Sequence, residues 1–274
     1  MPNEIAASCS GLVKIYRTAT GDVHALKGVD AAFPAGTVTA VVGPSGSGKS
    51  SLLRILAAVD RPTAGSLRIG EVSVTALGRS PLRRIRRRLV GYVFQRPAHN
   101  LIPYLSVREH VALAARLRGE RDVSKVDELL DVLAMSHRRD HRPHQLSGGE
   151  QQRVGFAQAV VGGPTLVVAD EPTSELDSRT GERLLEMVSA LTERGTSFVV
   201  STHDPRVVET AGRTLHLRHG ALEAETEERT LSVIDEAGRI QLPPRALTLF
   251  RDRRAVVEVE DDHVRIDPPR PISP

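Results

Sequence analysis

The sequence predicts an α/β fold built on a mostly parallel, covered sheet, with a small β-rich appendage at its C-terminal end. Three observations carry this reading. The apolar run Val38-Thr39-Ala40-Val41-Val42 ends at a glycine-rich loop that opens a helical pattern. Residues 147–220 alternate helix-period and strand-like runs, the rhythm of a parallel sheet covered by helices. Beyond residue 224 the pattern changes to short strand-like runs without helical periodicity.

Taken in order, residues up to about 70 read as strands interrupted by the glycine loop. After it, Leu52, Leu53, Ile55 and Leu56 recur at helical spacing until Pro62 and Gly65 break the pattern. Residues 80–145 read as mainly helical: Ser106 with Glu109 three residues on is a capping-box signature, and residues 124–135 alternate acids with Val and Leu. Residues 166–169 form a strand, residues 181–193 a helix, and residues 197–200 a second strand. This gives a main domain over 5–224 and a Glu-rich linker over 225–229. A small β-rich unit follows over 230–267, with strands expected at 231–234, 239–242, 255–259 and 263–266. The Pro-rich residues 268–274 are expected to be a disordered tail.

Composition narrows the function classes. The chain has 274 residues, 40% of them apolar, which suits a globular core. Its 37 basic and 34 acidic residues give a net charge of +3, too small to argue for nucleic acid from bulk charge. Cys9 is the one cysteine, so no internal disulfide forms, and a reducing, cytoplasmic setting is expected. The first residues lack a signal-peptide pattern, and no apolar run approaches the roughly 20 residues that span a bilayer. Membrane service is therefore expected to go through a partner.

Gly43-Pro44-Ser45-Gly46-Ser47-Gly48-Lys49-Ser50 fits G-x-x-x-x-G-K-[ST] between a predicted strand and a helix. The glycines let backbone N–H groups turn inward on phosphates, and the helix adds its positive end. Lys49 supplies a point charge, and the Ser50 hydroxyl suits Mg²⁺. The loop alone announces a nucleoside triphosphate and nothing finer. Leu166-Val167-Val168-Ala169-Asp170-Glu171 is an apolar strand ending in two acids. Asp170 fits a Mg²⁺ partner, and Glu171 a general base for an attacking water. Solvated acids capping a strand would look the same in isolation. His203, just after the strand-like run 197–200, could reach the γ-phosphate and hold water and Glu171 in line.

Leu146-Ser147-Gly148-Gly149-Glu150-Gln151-Gln152-Arg153 then opens a helical run. A Ser-Gly-Gly at a helix start offers a hydroxyl, bare N–H groups and the helix dipole to an anion. Here the chain resembles the nucleotide-binding subunit of ABC transporters, and residues 146–152 resemble that family's signature motif. The motif order matches from residue 16 to 203. The resemblance implies a P-loop NTPase core of ABC type, with an antiparallel β subdomain and a helical subdomain at about 96–160. It implies ATP and Mg²⁺ as ligands. It puts Tyr16 where the family stacks an aromatic ring on adenine, although a core-packed strand aromatic is the competing reading. Ser51 stands beside Ser50 in the ATP-binding set, in place of a common Thr. Gln95 matches the glutamine loop that contacts Mg²⁺ and senses the membrane subunit, and Asp177 the aspartate loop at the dimer contact. Glu171 and His203 match the catalytic glutamate and switch histidine, with Lys49 beside them.

It further implies two copies meeting head to tail, each ATP lying between one copy's loop and the other's Ser147, Gly148, Gly149 and Glu150. Two departures stand out. Gln158 falls where the family commonly has Arg, and Gly162-Gly163 replaces bulkier residues. The details most resemble the subgroup working with MacB-like and lipoprotein-releasing permeases, which points to export by a subunit held at the cytoplasmic membrane face. A soluble ABC-type ATPase acting on nucleic acid or ribosomes is the alternative, favoured only by the run Arg83-Arg84-Ile85-Arg86-Arg87-Arg88. That run reads more simply as a solvated helix face before Gln95, one that could lie near phospholipid head groups, and no nucleic-acid partner is expected. A catalytically dead ATP sensor ranks below both, since Lys49, Asp170, Glu171 and His203 are all present. Residues 232–243 faintly resemble AbrB-like swapped-hairpin modules. From Thr226 onward, however, 8 basic and 10 acidic residues weaken a DNA role. A dimerising or regulatory add-on and a β-patch packed on its own subunit both remain open.

Overall fold

A computed structural model describes residues 5–19, 21–95, 100–174, 176–226, 230–232, 256–259 and 264–267. Its main sheet has seven strands in the order β11-β10-β9-β3-β8-β7-β6. These are β3 (Val38–Val42), β6 (Val90–Val93), β7 (Leu166–Asp170), β8 (Phe198–Ser201), β9 (Arg213–Arg218), β10 (Ala221–Thr226) and β11 (Thr230–Ser232). The pairs from β6 across to β9 are parallel, and β10 and β11 add antiparallel to that edge. A second, antiparallel sheet has the order β2-β1-β4-β5, from β1 (Ile5–Thr18), β2 (Gly21–Pro34), β4 (Ala64–Ile69) and β5 (Val72–Ser73).

The period of two in each central strand divides the core. Leu166, Val168, Val41 and Val199 face one apolar cluster, which also holds α1 (Lys49–Leu56) and the antiparallel sheet through Leu12, Leu26, Phe33 and Leu67. Val167, Ala169, Phe198 and Val200 face the other. That side is covered by α3 (Val107–Arg118), α4 (Ser124–Val132), α5 (Gly148–Val160), α6 (Ser178–Glu193) and α7 (Pro205–Thr210). The parallel strands are thus buried on both faces, which is why they read as continuous apolar runs.

The predicted capping box is present: Ser106 Oγ accepts from the Glu109 amide at 3.2 Å, and Glu109 Oε2 accepts from the Ser106 amide at 2.7 Å. Gly119 closes α3 at φ 95°, in the left-handed region that favours glycine.

The span 80–145 is mainly helical, as expected, with the strand β6 set between α2 (Arg79–Leu89) and the later helices. Gly91 lets that strand lie against α5: a Cβ there would sit 2.2 Å from the Ala159 carbonyl oxygen. The linker expected at 225–229 begins inside a strand, since Glu225 and Thr226 belong to β10 and pair with Leu231 and Thr230 of β11. The main sheet therefore continues to Ser232. Of the expected appendage strands, Val256–Val259 (β12) and Val264–Asp267 (β13) form an antiparallel hairpin. The expected strand at 239–242, most of the AbrB-like stretch and the 268–274 tail lie outside the described residues.

Candidate functional site

Parallel pairing brings the ends of β3, β7 and β8 together, and the chemistry sits on the loops that leave them. The loop after β3 turns through Gly43 (φ 152°), Gly46 (φ 77°) and Gly48 (φ 104°) into α1. A Cβ on Gly43 would stand 2.0 Å from the Leu217 carbonyl oxygen, and one on Gly48 2.3 Å from that of Ala25. Neither position has room for a side chain. Lys49 Nζ donates to the carbonyls of Gly43 at 2.7 Å and Pro44 at 3.2 Å, so its ammonium lies over the loop. Ser47 Oγ is buried without a hydrogen-bond partner.

A cleft of about 440 Å³ opens above this loop. Ser45, Gly46, Ser47, Gly48, Lys49, Ser50 and Ser51 line it, together with Tyr16, Asp170 and Glu171. Gly43 and Pro44 shape the loop but do not line the cleft, and Val23, His24 and Ala25 join its wall. Ser50 and Asp170 bring a hydroxyl and a carboxylate, hard oxygen donors that suit Mg²⁺.

Asp170 and Glu171 are held from β8. Ser201 Oγ donates to Asp170 Oδ1 and accepts from the Glu171 amide, the latter at 3.0 Å. The Glu171 amide also reaches the Ser201 carbonyl at 3.1 Å. Glu171 sits at φ 47°, a left-handed conformation that costs a non-glycine residue about 1–2 kcal/mol. Its side chain is 18% exposed, with Oε2 2.7 Å from Nδ1 of the 73%-exposed His203. The pair is close, but Oε2 lacks a well-aligned hydrogen bond, which leaves that buried oxygen free to accept one. His203 therefore joins the site through Glu171 rather than by lining the cleft. Gln95 joins through Ser174: its Nε2 donates to Ser174 Oγ at 3.3 Å, and Ser174 Oγ donates to the Glu171 carbonyl at 2.9 Å.

Tyr16 presents its ring to the cleft while its hydroxyl donates to Asp60 Oδ2 at 3.1 Å. Lys14 bonds Asp60 Oδ1 at 2.8 Å and stands 4.8 Å from the Tyr16 ring centre. Burial opposes the Asp60 charge, but Lys14, the Arg61 amide and the Tyr16 hydroxyl outweigh it and hold its pKa below the ordinary value. The tyrosine is thus held at the cleft and half-buried, outside the two core clusters.

Ser147, Gly148, Gly149 and Glu150 start α5 and are not among the residues lining the cleft. Ser147 Oγ accepts from the Glu150 amide at 3.3 Å, and Glu150 Oε2 accepts from the Ser147 amide at 2.8 Å. Arg138 Nε donates to Glu150 Oε1 at 2.9 Å. Burial works against this carboxylate, yet the Ser147 amide and Arg138 keep its pKa lowered. The two glycines differ. A Cβ on Gly148 would meet nothing within 4 Å, whereas one on Gly149 would lie 2.3 Å from Thr180 Cγ2. Gly149 is therefore required for packing against α6. Asp177 caps α6, accepting from the Thr180 amide at 3.0 Å and from its hydroxyl at 2.7 Å, and these bonds lower its pKa.

Sequence reasoning missed Ser201, Ser174, Thr180 and Asp60. Each is a common residue type that matters through a contact distant in sequence. Ser201 had one available signal, as the polar end of an otherwise apolar strand.

The ABC transporter family profile matches residues 26–174. The chain is 39% identical over 224 residues to a lipoprotein-releasing system ATP-binding protein LolD of Chromohalobacter salexigens, covering 80% of this chain and 94% of that relative. It is 41% identical over 208 residues to a macrolide export ATP-binding/permease protein MacB of Marinobacter nauticus, covering 74% of this chain and 32% of that relative. This chain thus spans about a third of that longer protein. Among solved structures, a dimeric post-hydrolysis state of the ATP-binding cassette MJ0796, bound to ADP and Pi, aligns with a TM-score of 0.74 at 35% identity. The alignment covers 81% of this chain and 99% of that one.

Proposed function

This chain belongs to the ABC transporter family, and we propose that it is the ATP-hydrolysing subunit of an export system whose membrane-spanning permease is a separate protein. The observation that carries the reading is the cleft itself. It gathers the phosphate loop, Asp170 and Glu171, while the Ser147 helix end stands apart from it. Such a site is half complete, and a second copy docked head to tail would supply Ser147, Gly148, Gly149 and Glu150 from outside. The dimeric MJ0796 cassette supports that arrangement.

In this account ATP lies on the N–H groups of residues 43–51, with its base against Tyr16. Lys49 neutralises the β- and γ-phosphates. Ser50, Asp170 and Gln95 would hold Mg²⁺, which when bound supplies charge neutralisation at the β- and γ-oxygens. A water oxygen attacks the γ-phosphorus, the bond to the ADP oxygen breaks, and Glu171 Oε2 takes the water's proton. His203 keeps Glu171 and the water in line. Asp177 stands at the contact between copies.

Gln95 is coupled to Glu171 through Ser174, a route by which a permease could bias hydrolysis. Beside it lies a groove of about 560 Å³ with Val59, Phe94 and Leu117 in its walls, suited to a permease segment. The likeness to LolD and MacB favours export and a position at the cytoplasmic membrane face. The test is phosphate release from Mg²⁺-ATP by the purified chain with its permease. Lys49→Ala should abolish it, and a variant as active as the parent would refute the assignment.

A further inference from the structure

The positive charge of this protein is concentrated in one helix. Arg79, Arg83, Arg84, Arg86, Arg87 and Arg88 all lie in α2, and all are exposed. Without these six the chain holds 31 basic against 34 acidic residues, so the rest of the molecule is slightly acidic. No Asp or Glu occurs between Glu71 and Glu109. Among the described residues none of the six guanidiniums has an ion-pair partner, although ion pairs are frequent elsewhere on this surface.

The helix is ordered by its other side. Leu82, Ile85 and Leu89 pack against the apolar core and fix the roll of α2. Arg79, Arg83 and Arg87 then recur at i, i+4 and i+8, forming one outward line about 12 Å long, with Arg84 and Arg88 flanking it. Arg86 and Arg87 also reach the wall of the groove given above to a permease segment, so the basic face lies directly beside that groove.

We propose that α2 is a contact surface for a bilayer bearing anionic phospholipid headgroups. Guanidiniums pair with phosphate oxygens in a forked geometry that lysine lacks, and all the cations of this helix are arginines. A cluster of six exposed basic residues on one helix suits the negative surface of an anionic bilayer. A single-stranded nucleic acid fits less well, because α2 carries no aromatic residue on which bases could stack, and duplex DNA is an outcome of the test. The site is independent of the nucleotide cleft, and none of the six arginines lines it.

The test is co-sedimentation of the full chain with phosphatidylcholine vesicles, with and without phosphatidylglycerol. Binding should require phosphatidylglycerol and weaken as salt rises from about 0.1 M to about 1 M, where screening acts within about 3 Å. The triple change Arg79→Gln, Arg83→Gln and Arg84→Gln should lower partitioning about a hundredfold, at roughly fivefold per arginine. It should leave basal ATP hydrolysis unchanged, which shows that the variant is folded. The corresponding triple lysine variant keeps the charge but not the forked geometry and should bind between the parent and the glutamine variant. Equal binding to neutral vesicles, full binding by the glutamine variant, displacement by millimolar inorganic phosphate, or tighter capture by duplex DNA would each overturn the proposal.

Discussion

Replacing Gly149 by Ala should destabilise the fold through one contact. The new Cβ would lie 2.3 Å from Thr180 Cγ2, while its next neighbours, Thr180 Cβ and Oγ1, stand at an ordinary 3.5 Å. One methyl group therefore accounts for the clash, and α5 and α6 must separate by about an ångström to relieve it. Overpacking of this kind costs about 1–3 kcal/mol. For a chain of this size each kcal/mol lowers Tm by about 2–4 °C. Thr180→Ser removes that methyl and keeps the hydroxyl that bonds Asp177. In the Thr180→Ser background, Gly149→Ala should cost less than about 0.5 kcal/mol, the range of an unstrained substitution. The assay is urea unfolding of the two single variants, the double variant and the parent, read as a double-mutant cycle. A coupling energy near zero, or Gly149→Ala as stable as the parent, would refute the packing argument. Gly148→Ala is the internal contrast. With nothing within 4 Å it should leave stability within about 0.5 kcal/mol, yet reduce ATP hydrolysis if this position faces the partner copy's nucleotide.

Ser201→Ala removes the hydroxyl shared by Asp170 and the Glu171 amide. It should lower kcat by about tenfold to a hundredfold, the worth of a hydrogen bond to a charged group, with KM for ATP little changed. Steady-state kinetics check this, and an unchanged kcat would remove Ser201 from the positioning role. His110 is buried with Nε2 accepting from the Ile102 amide at 2.7 Å and Nδ1 2.7 Å from the Ser106 carbonyl, so the folded state needs a neutral ring. Burial lowers its pKa from 6.5, and His216 shifts the same way for the same reason. Below about pH 6.5 the unfolded chain takes up protons that the folded chain refuses, so stability should fall with pH in that window. Thermal melts across it should show a smaller loss in His110→Gln than in the parent. Arg118, its pKa pushed down to about 10 by burial, donates to the carbonyls of Arg87, Val90 and Ala159 at 2.8–3.1 Å. Arg118→Met leaves these uncapped and should cost about 2–4 kcal/mol in the same unfolding assay.

The features that the sequence made legible are those whose chemistry is local. The glycine loop, the acids ending β7 and the Ser-Gly-Gly start of α5 are contiguous, and each declares its backbone geometry through residue type. The fold class was legible for a related reason: strands buried on both faces have to be apolar throughout. Missed features depend on contacts across the chain. Ser201 reaches Asp170 over 31 positions, and Gln95 reaches Ser174 over 79. The strand β6 was hidden because an arginine-rich helix runs directly into it with no turn residue between. The departure at Gly162 gains a reason only in three dimensions. At φ 77° a Cβ there would press on Arg118 Cδ at 3.0 Å, so glycine leaves room for the aliphatic stem of the half-buried Arg118. The end of the main sheet was placed too early because the Glu-rich composition at 225–229 resembles a linker, although Glu225 is held within β10 by an ion pair to Arg213.

The central claim is that one copy holds half of each ATP site. Its most direct test is the oligomeric state of Glu171→Gln by analytical ultracentrifugation with Mg²⁺-ATP, since this change removes the base and leaves the phosphate loop intact. Glu171→Gln should be a monomer without nucleotide and a stable dimer with ATP, the dimer being lost again when Ser147→Arg blocks the opposing helix end. A variant that binds ATP yet stays monomeric, or that hydrolyses ATP at the parent's rate, would contradict it.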